Sequence, residues 1–194
     1  MMPGNSALKD LISARRCLID FVNSYGARIV SDGDLDGIFA TGLLLLVFRT
    51  EDIRECVKFP HPNDLAGLKV RNSILVELPL TKGLTYVDQN VLIDHHPDPP
   101  RVEYYEGNNI VNSFIVSGAR SVASLVYTIF RDTLKLSNTA REIISAIDNI
   151  DNGYYAGRLD RILHSAYLIN KTDDNMRYSL LDMIIRRDWE GILE

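Results

Sequence analysis

The sequence predicts an α/β fold: a doubly wound, mostly parallel sheet flanked by helices, with a C-terminal helical segment. Three observations predict it. Short β-branched runs alternate with helical patterns through residues 1–135. The remaining residues are almost wholly helical in pattern. The densest acidic and histidine stretches follow strand-like runs, as at the carboxyl edge of a parallel sheet.

The elements follow in order. SALKDLISARRCLIDFVNS (6–24) has apolar positions near helical spacing, with Asn5 or Ser6 as its cap. ARIVS (27–31) is a strand, SDGDLDG an acidic loop, and the apolar run that follows predicts a helix over 37–49. ECVKFP, NSILVEL, LTYV and VLID are four short β-like runs, with a turn or short helix at DLAGLK. VEYY and NIVNSFIV are further strands. From Ser117 the pattern turns helical, in SGARSVASLVYTIFRDTL, TAREIISAIDNI, GRLDRILHSAYLIN and DDNMRYSLLDMIIRRD.

Composition bounds the function. A chain of 194 residues, 46% apolar and 24% charged, buries a sizeable core in one domain with a small appendage. A net charge of −5 excludes a global basic field toward nucleic acid or membrane. A local basic patch remains open to Arg141, Arg158, Arg161, Arg186 and Arg187. Cys17 and Cys56 fit neither a metal spacing nor a disulfide framework, and read as reduced core residues. MMPGNS lacks the basic and apolar regions of a secretion signal. GLLLLVF is far shorter than the roughly 20 residues a membrane span needs. A cytoplasmic protein without a membrane partner is the expectation.

Asp32, Asp34 and Asp36 stand within five positions, followed by Gly37. Crowded carboxylates raise each other's pKa, and a hard divalent cation is the usual reason to keep them together. An EF-hand is excluded, because its twelfth position is Leu43 and a strand precedes the loop. VLIDHHPDPP places Asp94, His95 and His96 at another strand end. Neighbouring side chains point apart, so one histidine can ligate metal while the other faces a substrate. On one sheet edge, the two stretches form a candidate metal site.

Asp94-His95-His96 resembles the motif of the DHH phosphoesterases, and DGDLDG is similar to the first motif of their RecJ-like branch. SVASLVYTIF, AIDNIDNG and, more weakly, GRLDRILHSAYLINKTDDN resemble later segments of that family, so the likeness runs from about residue 25 to the end. It implies a DHH-type domain over 1–156 and a connector-like helical segment over 157–194. No Gly-Gly-His stands in the chain, so the family's associated substrate-binding domain is expected to be absent.

The resemblance also implies a hydrolase of phosphate esters with two metal ions, manganese first and magnesium second. Two ions can activate water and neutralise phosphoryl charge. By position, Asp34 and Asp36 are implied ligands, with Asp36 the bridge, and Asp32 is a further ligand or an orienting group. His95 is implied as a ligand, His96 as the residue facing the scissile phosphate, and Asp94 as their support. Gly37 keeps the turn tight where substrate approaches. Family pyrophosphatases carry a histidine where this chain has Val30, so a nuclease or oligonucleotide phosphodiesterase is the expectation.

For the second motif, Glu77 follows a strand directly, whereas Asp88 precedes the strand that ends at Asp94 and is carried toward the opposite edge. Glu77 is therefore favoured. For the fourth motif Asp148 is favoured over Asp151. The expected substrate is single-stranded nucleic acid or a short oligonucleotide, and a homo-oligomer is compatible with it. The rival expectation is a non-catalytic RecJ-like scaffold that binds replisome partners of the GINS type.

Overall fold

The β-branched runs pair into one six-stranded sheet in the order β2-β1-β3-β4-β5-β6. The strands are β1 (Ile29–Ser31), β2 (Val57–Lys58), β3 (Lys69–Val76), β4 (Thr85–Asp94), β5 (Arg101–Glu106) and β6 (Asn109–Ile115). β1 pairs in parallel with β2 and β3, and β3 with β4; β5 and β6 add antiparallel. The helices are α1 (Asn5–Tyr25), α2 (Leu35–Phe48), α3 (Ile53–Cys56), α4 (Val122–Leu134), α5 (Asn138–Asp151), α6 (Arg158–Asn170) and α7 (Asp174–Arg186). The computed structural model describes residues 5–50, 52–155 and 157–193. Ala156, at the expected domain boundary, lies outside them.

The predicted α/β class holds, and four details differ. LTYV and VLID are one continuous strand, β4: a bulge at Asp88 absorbs the polar step, and pairing resumes at Gln89 with Glu106 of β5 and at Asn90 with Ser73 of β3. ECVKFP is mostly not strand: α3 and the two-residue β2 share it, with Asp52 capping α3. α2 begins at Leu35 rather than Gly37, because the Asp34 side chain accepts the Gly37 N–H and caps it. α1 already contains Asn5 and Ser6, so its cap lies outside the described residues.

The two sheet faces are covered differently. Ile29, Ile74, Val76, Val91, Ile93 and Val102 face the core shared with the longer helices. Val30, Leu75, Leu92, Tyr86 and Tyr105 face a smaller core closed by the loop residues Leu65, Leu78 and Leu84. The chain leaves β1 through α2 toward β2, then crosses back over β1 to reach β3. Winding therefore reverses at β1, and the crevice beyond the carboxyl ends of β1 and β3 is where such sheets place ligands.

α7 packs on α2 at Gly42. A Cβ there would lie 2.7 Å from Ile184 Cγ2 and 3.0 Å from its Cβ. Alanine gains about 1 kcal/mol of helix propensity, but overpacking costs about 1–3 kcal/mol. Gly42→Ala is expected to lower the melting temperature by a few degrees, and adding Ile184→Ala is expected to remove that strain while opening space at the contact. A thermal melt of both variants checks this; a Gly42→Ala protein that melts above wild type contradicts it.

Candidate metal centre

The residues after β1, β3 and β4 converge in this crevice with the end of α5. Asp32 and Asp34 leave β1, and Asp36 lies in the first turn of α2. Asp36 is 2% exposed, and both its oxygens accept backbone N–H groups at the start of α4, from Val122 (2.6 Å) and Ala123 (2.8 Å). The helix N-terminus favours a carboxylate there.

Glu77 follows β3 in the left-handed region, at φ +58, a conformation non-glycine residues rarely adopt. Its backbone is held by the Ile93 carbonyl at 3.1 Å and by Lys82 Nζ, which donates to the Glu77 carbonyl at 3.0 Å. The turn leaves its side chain 1% exposed among the acids. Such strain, of order 1–3 kcal/mol, persists where surrounding structure over-determines it.

His95 Nε2 lies 3.1 Å from Glu77 Oε1, 3.2 Å from Asp151 Oδ2 and 3.8 Å from Asp36 Oδ2. None of these approaches is a hydrogen bond: Nε2 is buried without a partner, as are Glu77 Oε2, Asp32 Oδ1 and Asp148 Oδ1. Orphaned buried polar atoms are costly and uncommon. His96 is placed differently. Asp94 Oδ1 lies 2.9 Å from its Nδ1 and accepts its backbone N–H at 3.0 Å, while the side chain is 62% exposed. The two rings do not point apart as predicted: their centroids are 4.5 Å apart, and both approach Glu77.

Ligand atoms cluster in three overlapping sets, each within 4.8 Å: Asp36, Glu77, His95 and Asp151; Asp32, Asp34 and Glu77; and Glu77, His95 and His96. Glu77 belongs to all three. These buried acidic and histidine groups can bind a metal ion.

Among the sequence candidates, Asp32, Asp34, Asp36, Glu77, His95, His96 and Asp151 gather here, with Asp94 behind His96. Asp148 does not enter these sets; Asp151, one turn later on α5, does. Asp88 is remote, in mid-β4, and pairs with Arg71 at 3.1 Å. Gly37 serves packing: a Cβ would lie 2.5 Å from Ser31 Oγ and 2.7 Å from Asp32 Oδ1, leaving no room beneath the acidic loop.

Three supporting features escaped the sequence. The start of α4 had a signal, since Ser121 and Ser124 form its capping box, but nothing linked it to Asp36. Lys82 Nζ lies 3.6 Å from Asp32 Oδ2. Arg177 on α7 donates Nε to the Gly33 carbonyl at 3.0 Å, and its other nitrogens donate to Asp174 and the Lys171 carbonyl, both at 2.7 Å. The C-terminal helices thus hold the acidic loop.

Burial, then the Asp34 charge, pushes the Asp32 carboxyl up from 3.8 to about 7. Burial and neighbouring acids likewise raise Asp36 and Glu77, and burial raises Asp151. Burial lowers His95. The carboxyls hold protons more tightly folded than unfolded, so their stability contribution is complete at low pH and lost as pH rises, for Asp32 up to about 7. His95 acts oppositely but is one group against four. Metal-free protein is expected to melt at progressively lower temperature as pH rises from about 4 to about 7, with manganese flattening the trend. A metal-free melting temperature that climbs through this window contradicts it.

No family model matches the chain, and no curated protein or solved structure matches it. Among the described residues, no helix is long and apolar enough to cross a membrane.

Proposed function

We propose that the protein is a metal-dependent phosphoesterase of the DHH type, RecJ-like in its motifs, that hydrolyses phosphodiester bonds in single-stranded nucleic acid or short oligonucleotides. One observation carries this: three buried polar atoms without hydrogen-bond partners, His95 Nε2, Glu77 Oε2 and Asp32 Oδ1, at an acidic crevice at the winding reversal of the sheet. A divalent cation satisfies several such lone pairs at once. Mixed carboxylate and imidazole donors suit manganese, with magnesium second.

Asp36, His95 and Asp151 would hold one ion and Asp32 and Asp34 a second, with Glu77 common to both sets. Glu77, common to all three sets, would take the shared place that the resemblance assigns to Asp36, whose oxygens already accept the α4 amides. When bound, the ions supply Lewis acidity and neutralise phosphoryl charge. The chain supplies the rest. Asp94 accepts from His96 Nδ1 and orients the exposed ring, whose Nε2, in the doubly protonated form, would donate to a phosphoryl oxygen or a leaving group. Lys82 places a cation at the rim beside Asp32.

The test is manganese with a labelled single-stranded oligonucleotide, scored for released nucleotides. Wild type is expected to turn over and Glu77→Gln to lose at least about 100-fold, the scale on which second-sphere partners already matter at metal sites. No turnover, together with tight binding of a replisome protein, would replace this reading with the scaffold.

A further inference from the structure

Away from the metal centre, the structure carries a second charged feature on the side of the sheet nearest β2. β1 begins opposite Ile74, so Lys69–Ser73 of β3 have no strand partner on that side among the described residues. The notch opens into a groove of about 700 Å³, within the range of ligand sites. Arg28, Lys58, Lys69 and Arg71 line it, against the acids Glu55 and Asp174.

Pairing makes the imbalance sharper. Asp174 is taken by Arg177 at 2.7 Å, and Arg71 is paired with Asp88 at 3.1 Å. Arg28, Lys58 and Lys69 make no ion pair among the described residues. Three free cations therefore share one concavity in a chain of net charge −5. Arg28, Lys69 and Arg71 lie toward the amino ends of β1 and β3, and the groove reaches the acidic loop at its Phe59 end. Phe59 lines it, and both Phe59 and Arg177 reach within 3.0 Å of where a Gly33 Cβ would stand.

We propose that this groove binds the phosphate backbone of single-stranded nucleic acid, as a track leading to the metal centre. The proposal rests on the phosphodiesterase reading for its ligand class, and on the groove itself for its location. Binding here is through phosphates rather than bases. Arg54 covers the Tyr178 ring at 4.5 Å and the Tyr178 hydroxyl donates to the Val57 carbonyl. Phe59 packs edge-on against Tyr178 and under Arg177. With both aromatics occupied, little ring face is left for stacking, and recognition is expected to be sequence-tolerant and salt-dependent.

The test measures fluorescence anisotropy of a labelled oligothymidylate of about 16 nucleotides, an upper site size for one domain. It is run in EDTA, with salt from about 50 to about 200 mM. The variants are Lys58→Glu with Lys69→Glu, both at exposed positions, and Glu77→Gln. The double reversal is expected to weaken binding at least about tenfold and to flatten the log–log salt slope by about 0.7 for each phosphate that is no longer neutralised. Glu77→Gln is expected to bind at least as well as wild type. Unchanged binding in a folded double variant overturns the proposal, as does displacement of the oligonucleotide by polyglutamate at equal charge concentration. Binding that depends on Lys58 and Lys69 without any manganese-dependent cleavage keeps the groove and removes the hydrolase.

Discussion

Saturating manganese is expected to raise the melting temperature of this protein by about 10–20 °C at neutral pH. A ligand held at about 100 times its dissociation constant adds about 2.7 kcal/mol, and a domain of this size gains about 2–4 °C per kcal/mol. Two ions at that excess therefore account for the range. The gain is large because the metal-free centre is so poorly satisfied. Asp32, Asp36, Glu77 and Asp151 all have carboxyls raised by burial, and Glu77 Oε2 and His95 Nε2 lack hydrogen-bond partners. Glu77→Ala removes the residue common to all three ligand sets and is expected to abolish most of the shift. Calorimetry with manganese, magnesium and calcium checks this. Equal melting temperatures with and without every ion would end the metal-centre interpretation.

Substitution at Asp36 is expected to have a large structural effect. Its carboxylate accepts the Val122 and Ala123 amides across 86 and 87 residues of sequence. Alanine leaves two buried donors unsatisfied, at about 1–3 kcal/mol each, which lowers the melting temperature by roughly 10 °C. Asparagine keeps one acceptor oxygen, sets its NH2 against the other amide, and removes a buried negative charge crowded by Asp34 and Asp151. Asp36→Asn is therefore expected to melt between the alanine variant and wild type in EDTA, yet to lose the manganese shift and turnover together. The pair separates two roles of one side chain. If Asp36→Ala melts like wild type, the tie to α4 carries no weight; if Asp36→Asn keeps the full manganese shift, Asp36 is not a ligand.

The convergence of β1, β3 and β4 was legible because a parallel sheet puts all its strand ends on one edge, and Asp32, Asp34, Asp36, Glu77 and His95 each follow a strand run. Glu77 was separable from Asp88 by strand length, since a residue six positions before Asp94 on the same strand is carried about 20 Å from its end. Asp148 and Asp151 were not separable. They stand three apart on α5, on neighbouring turns of one face, and which one reaches His95 depends on how that helix is seated. The Asp36 tie to α4 and the Arg177 tie to Gly33 join residues 86 or more positions apart, and no local pattern encodes such pairings. The basic groove was hidden for the same reason. Its cations are scattered over Arg28, Lys58, Lys69 and Arg71, while the visible arginine cluster lay in the last third of the chain.

Arg177 has its guanidinium fully engaged with Gly33, Asp174 and Lys171, so the final long helix and the first loop behave as one mechanical unit. A tug on the C-terminal helices, whether from a fused tag, an attached module or a truncation, is expected to reach the aspartates through Gly33. Damage at the tail of the chain should consequently register as weakened ion affinity before it registers as unfolding.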